Sequence, residues 1–123
     1  MRSPTVILCA FAILVASSAF AKPHRSETTY EEERSALLKQ GLQAVPLTHD
    51  ASDLVCASDD FCKRYPEVID CAGTGVNPCL FAYFRPRDRE FLVVETYGEE
   101  PIMFKAIRPA TVDEVETIKQ QRR

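Results

Sequence analysis

The sequence predicts an α+β fold: an N-terminal helix, a disulfide-tied loop, a three- to four-stranded antiparallel meander and a short C-terminal helix. Three observations carry it. Capping-box signatures, Thr28 with Glu31 and Thr111 with Glu114, open apolar-periodic segments near either end. Three runs rich in aromatic and β-branched residues, Leu80 to Arg85, Glu90 to Tyr97 and Ile102 to Arg108, follow one another across short turns. Before them, Thr48 to Pro78 is irregular, and Cys56, Cys62, Cys71 and Cys79 fall within it or just after it.

The chain begins with an export signal. Arg2 precedes the apolar run Val6 to Val15, and Ala19-Phe20-Ala21 gives the small-residue pattern after which cleavage is expected. The run is too short for a permanent bilayer anchor, so the mature chain is expected to be soluble, without membrane insertion, in the periplasm or secreted. Cys9 follows the bulky Leu8 where a lipid-modified cysteine needs a small residue, which argues against a lipoprotein. Removing 21 of 123 residues leaves 102, enough for one domain. Residues 22–27 read as a flexible tail and 28–123 as a single small domain.

The first helix runs from about Tyr30 to Gln40. Glu31, Glu32 and Glu33 suit the positive end of its dipole, Tyr30, Leu37, Leu38 and Leu42 recur on one face, and Gly41 fits the position past the last turn. Gln43 to Leu47 reads as an edge strand, because Pro46 forbids a central one. A short helix from Asp59 to Tyr65, capped by Ser58, ends near Pro66. In the meander, four-residue turns at Pro86 to Arg89 and Gly98 to Pro101 place Arg85 opposite Glu90, Phe84 opposite Phe91, Tyr97 opposite Ile102 and Glu95 opposite Phe104. Val112, Val115 and Ile118 mark the inner face of the closing helix.

An even cysteine set spaced C-x5-C-x8-C-x7-C in an exported chain reads as two disulfides. Three pairings are possible, and loop entropy does not choose between them. The turn residues Gly73-Thr74-Gly75 and Asn77-Pro78 between Cys71 and Cys79 favour joining those two, which leaves Cys56 with Cys62. No metal is expected: zinc sites usually present ligand pairs two to four residues apart, and neither His24 nor His49 is near a cysteine in sequence. Nor is there a C-x-x-C pair for redox catalysis.

All 18 acidic residues and 14 of the 15 basic ones lie after the signal, giving a formal charge of about −4, which argues against nucleic acid as a partner. Asp53, Asp59, Asp60, Glu67 and Asp70 enrich the loop in oxygen donors without calcium-loop spacing. Gly73-Thr74-Gly75 lacks the following helix of a phosphate cradle. No cofactor is implied. His49-Asp50 is the one folded-region histidine with an adjacent carboxylate, but no recognisable nucleophile accompanies it, so no catalytic residue is assigned.

Alternation divides the meander into two faces. Leu80, Ala82, Phe84, Phe91, Val93, Glu95, Tyr97, Ile102, Phe104 and Ala106 make the expected core face. The other carries Phe81, Tyr83, Leu92, Val94, Met103 and Ile107, too apolar to stay wet. Either the cysteine loop or the final helix covers it, or part of it docks another exported or envelope protein with Phe81, Tyr83 and Met103 as anchors. Arg85, Arg87 and Arg89 at the first hairpin tip are a second candidate contact, for an acidic partner.

Tyr65-Pro66-Glu67, Cys71-Ala72-Gly73-Thr74-Gly75, Cys79-Leu80-Phe81 and Thr96-Tyr97-Gly98-Glu99, with Arg34, Leu37, Gly41, Val45 and Pro46, resemble a pattern in small uncharacterised exported proteins of proteobacteria. That resemblance implies export and no particular activity. The helix-then-meander outline is also similar to small outer-membrane assembly lipoproteins, although the lipidation cysteine is missing. The function expected from the sequence is therefore a non-enzymatic exported binding protein, of inhibitor or immunity type or an envelope accessory, acting through a sheet face. The alternative is a small exported enzyme using His49 and a loop carboxylate.

Overall fold

The computed structural model describes residues 27–50, 52–57, 59–73 and 75–122. The expected signal with Cys9, the tail up to residue 26 with His24, the cap Ser58 and the turn residue Thr74 lie outside them. The described chain is α+β, with an open five-stranded antiparallel sheet.

Helix α1 spans Tyr30–Lys39. Its cap is Thr29, one residue later than expected: the Thr29 hydroxyl accepts from the Glu32 amide at 3.2 Å, and the Glu32 carboxylate accepts from the Thr29 amide at 2.9 Å. The shift has a cause outside the helix. The Thr28 carbonyl accepts from the Phe104 amide at 2.9 Å, which holds Thr28 in an extended pairing along the sheet edge. α1 buries Tyr30, Glu33 and Leu37, whereas Leu38, expected on that face, is largely exposed. Gly41 follows with φ +90°, the left-handed geometry that ends a helix.

Strands β1 (Gln43–Ala44) and β2 (Val68–Cys71) both pair with the same side of β3 (Cys79–Arg85), β1 at Tyr83 and Phe84 and β2 at Cys79 to Phe81. Between them Val45 donates to the Ala82 carbonyl and Ala82 donates to the Glu67 carbonyl, so two short pieces serve as one outer strand. β2 has no counterpart among the sequence expectations. β4 (Glu90–Tyr97) and β5 (Met103–Pro109) complete the meander, and the far edge of β5 is met by residues 28–30. The β3–β4 register is as expected, with Arg85 opposite Glu90 and Phe84 opposite Phe91. The β4–β5 register is not. A bulge between Glu95 and Thr96 pairs Glu95 with Ala106, Thr96 with Phe104 and Tyr97 with Met103.

That extra residue turns Phe104 toward the face the sequence reading ranked second, and this is the main core. Phe81, Tyr83, Leu92, Val94 and Phe104 pack there with Val68, beneath Tyr30 and Leu37 of α1 and Tyr65. Helix α2 (Asp59–Arg64) adds Phe61, whose ring lies 6.5 Å from that of Phe81. Tyr30 stacks on Phe81 at 4.0 Å. The first helix and the cysteine segment thus cover this face, and the final helix does not. Helix α3 (Val112–Gln121) lies against the opposite face, where Ile118 forms a smaller cluster with Leu47 and Ala82. Its Thr111 to Glu114 capping box is as expected, but Val112 is 86% exposed, so the helix buries a narrower face than its spacing suggested. The Thr48 amide donates to the Gln121 carbonyl at 2.6 Å and fixes the far end of α3.

A polar network runs through the core under α1. Glu67, at 0% exposure, accepts from the Tyr30 hydroxyl at 2.8 Å and from the Arg34 guanidinium through both oxygens, and the Tyr30 and Tyr83 hydroxyls are 2.7 Å apart. Burial, foremost, holds the Tyr30 and Tyr83 phenols far above their ordinary range, so both stay neutral donors. Glu67, which the sequence groups with the loop's oxygen donors, is part of this network.

Candidate binding cleft

The cysteine segment folds onto one end of the sheet. A 3-10 turn at Leu54–Cys56 leads to α2, and the Cys56–Cys62 disulfide ties the two together. The second disulfide, Cys71–Cys79, joins β2 to β3 at directly paired positions. Both pairings are those the turn chemistry favoured. The β4–β5 turn is drawn against the cystine loop: Gly98 donates to the Val76 carbonyl at 2.7 Å, and the Asn77 side-chain amide donates to Glu99 at 2.9 Å. Gly98 needs its missing side chain, because its φ is +79° and a Cβ there would meet the Pro101 carbonyl oxygen at 3.2 Å.

These pieces enclose an open cleft of about 820 Å³ between the 3-10 turn, the cystine loop and the β4–β5 turn. Val55, Phe61 and Ile102 form its apolar wall, and Asp53, Asp70, Glu99 and Glu100 supply carboxylates. Among the described residues, no lysine, arginine or histidine lines it. Leu54 in its lining is 90% exposed, and Val76, next in sequence to the lining residue Asn77, is 67% exposed. A second groove of about 520 Å³ shares Phe61, Glu99, Glu100 and Ile102 with the first and continues past Tyr65 to the Arg64–Glu31 ion pair. The surface is therefore a carboxylate-rimmed trough with apolar side chains standing out of it.

His49 borders this region from within. Its Nε2 lies 2.7 Å from the Val68 carbonyl oxygen and its Nδ1 lies 3.2 Å from Asp53 Oδ2, with the side chain only 5% exposed. A carbonyl can only accept, so Nε2 carries a proton. The carboxylate beside the ring is Asp53, four residues on, rather than the adjacent Asp50. The pair ties the cysteine segment to β2, and the ring is nearly enclosed.

The remaining sequence candidates lie elsewhere. Phe81 and Tyr83 are fully buried under α1, so the docking role read for them is corrected: in this fold neither ring has surface to offer. Met103 is half-buried and pairs with Thr29 along the β5 edge. Arg85 is held by Asp88 at 2.7 Å and Glu90 at 2.6 Å, while Arg87 and Arg89 are exposed at the hairpin tip. That tip is at the far end of β3 from the cleft, about 20 Å away at strand rise. Neither a protein-family model, nor a curated protein, nor a solved structure matches the chain. The sequence names Asp53, Asp70 and the cystine loop but does not show the cleft, because Leu54, Asn77 and Glu99 are brought together by the two disulfides and by pairings with β3 and β4.

Proposed function

We propose that the protein is a non-enzymatic exported binding protein that captures a basic, apolar-bearing segment of another exported protein in the trough at its disulfide end. One observation carries the reading: the exposed Leu54 stands at a concave cleft whose charged lining among the described residues is all carboxylate, and the one cation of the adjoining groove, Arg64, is already paired with Glu31. A lysine- or arginine-rich segment complements that rim, and its apolar side chains complement Leu54, Val76 and Phe61. The disulfides keep the trough formed before the partner arrives, which lowers the ordering cost of binding. They also fit an oxidising compartment. The role moves from the sheet face to the end of the sheet, since α1 and α3 cover the two faces.

The test is fluorescence anisotropy with two labelled peptides of equal length, one alternating lysine with leucine and one alternating glutamate with leucine. The lysine peptide is expected to bind, with at least tenfold weakening in 0.5 M salt and by the double substitution Leu54→Ser/Val76→Ser. Both side chains are exposed, so that variant should keep the wild-type melting temperature. Equal binding of the two peptides, or no effect of the double substitution, overturns the proposal.

A further inference from the structure

The sequence separates His49 from every cysteine, but the fold does not. A ring nitrogen of His49 and the sulfurs of Cys56 and Cys62 all lie within 4.8 Å of one another. Asp53 adds a carboxylate oxygen 3.2 Å from Nδ1. Nε2 is committed as a donor to the Val68 carbonyl, which fixes the ring, so Nδ1, now against the Asp53 carboxylate, is the nitrogen left to bind a cation, which displaces to water any proton shared in that contact. A histidine whose second nitrogen donates to a backbone carbonyl is the arrangement that orients metal-binding imidazoles.

We propose that His49, Cys56 and Cys62, with Asp53 as fourth donor, form a binding site for a thiophilic divalent cation such as Zn2+ once the Cys56–Cys62 bond is opened. Two thiolates, one imidazole and one carboxylate make a tetrahedral donor set suited to zinc, whose bonds are about 2.3 Å to sulfur and 2.0–2.2 Å to nitrogen and oxygen. Those lengths put neighbouring donors roughly 3.3–3.8 Å apart, so His49, Cys56 and Cys62 have to contract by only about an ångström at their widest while the two sulfurs separate, and the Asp53 carboxylate has to swing toward the sulfurs. Asp53 is 46% exposed on its side chain and has room to swing in, and it opens on the cleft through which an ion enters. The chemistry balances with a dithiol reductant. The dithiol gives up two electrons and two protons and becomes its own disulfide, Cys56 and Cys62 become thiols, and the cation then displaces both thiol protons to water. Metal and disulfide are thus alternative cross-links between the same two cysteines, and either one closes the 3-10 turn onto α2.

The experiment reduces the protein with a dithiol in the presence of one equivalent of Co2+, followed by displacement with Zn2+. Sulfur-to-cobalt charge-transfer absorption reports the site, and far-ultraviolet circular dichroism reports the fold. The expected result is one ion per chain with tetrahedral cobalt–thiolate bands in the wild type and in Cys71→Ser/Cys79→Ser, and none in Cys56→Ser/Cys62→Ser. His49→Ala should change the band pattern and weaken binding by more than the roughly 10–100-fold that loss of an outer-shell partner costs. The proposal is overturned if the reduced wild type takes up no ion, or if it unfolds with metal in excess. It is equally overturned if Cys56→Ser/Cys62→Ser binds as well, or if His49→Ala leaves spectrum and affinity unchanged.

Discussion

The sheet face under α1 and the cysteine end of the sheet are held by different physics. Under α1 the chain relies on continuous burial: Tyr30, Leu37, Phe81, Tyr83, Leu92 and Val94 pack together, and the ion pair drawn in there, Arg34 with Glu67, is hydrogen-bonded to a tyrosine. At the cysteine end residues 48–57 contribute Val55 to the edge of that core and Leu47 precedes them, while Leu54 stands in solvent. Covalent and polar ties supplement burial there, namely the two disulfides, the His49 bridge to Val68 and Asp53, and the bonds from Gly98 and Asn77 across the loops. A region that does not depend on burial alone can leave apolar side chains exposed as a contact surface. The contrast explains why the concave, carboxylate-rimmed surface lies at this end.

The largest effect that tests the contrast belongs to the buried pair. Arg34→Ala leaves the Glu67 carboxylate at 0% exposure with the Tyr30 hydroxyl but without its cation, and such a change costs about 3–5 kcal/mol. Urea unfolding measures it as a fall in midpoint. The double substitution Arg34→Met/Glu67→Gln removes both charges and should recover most of the loss. A single-mutant cost under about 1 kcal/mol would mean that water reaches the carboxylate and that the α1 side is not the dry region described.

Next come the staples. Opening Cys56–Cys62 by double serine substitution is expected to cost about 2.4 kcal/mol, and opening Cys71–Cys79 about 2.6 kcal/mol, from the unfolded-chain entropy of loops this short. The two should differ in where the loss appears. Cys71–Cys79 joins paired residues of the sheet, so its removal should reduce amide protection along β2 and β3. Loss of Cys56–Cys62 should loosen residues 52–64 while β3 and β4 keep theirs. Hydrogen exchange followed residue by residue distinguishes the patterns, and uniform loss in both variants would show the two regions to be one cooperative unit.

What the sequence made legible was local. Thr111 with Glu114 marks the start of the last helix to the residue, the turn residues between Cys71 and Cys79 indicate their pairing, and the alternation across Pro86 to Arg89 gives the β3–β4 register. What it hid was non-local. Val68-Ile69-Asp70-Cys71 is too short to show strand periodicity, and its extended state is imposed by β3. No glycine marks the bulge at Glu95 and Thr96, so the burial of Phe104 was assigned to the wrong face. Arg34 and Glu67 are 33 residues apart, and nothing in either neighbourhood announces a buried pair. The cleft and the His49 cluster fall in the same class, because each is assembled by cross-links rather than by a contiguous motif.

The smallest effect concerns α3, which buries Ile118 where α1, of equal length, buries three side chains. Its attachment to the sheet is partly ionic: Arg108 on β5 reaches Glu95 at 2.9 Å and Glu114 at 2.6 Å. Hydrogen bonding from Arg108, aided by the Thr111 cap, lowers the Glu114 carboxyl to about 2 from an ordinary 4.5. A carboxyl lowered on folding stabilises the protein above its unfolded pKa, so the contribution is complete above about pH 4.5 and is lost as the pH falls toward 2. Screening at a partly exposed site reduces it to about 1 kcal/mol. Urea midpoints at pH 5.5 and pH 2.5 should therefore differ less for Glu114→Gln than for the wild type, by about that amount. An identical pH dependence in the two proteins would place the acid sensitivity elsewhere and leave α3 held by Ile118, its cap and the Thr48 bond at its far end.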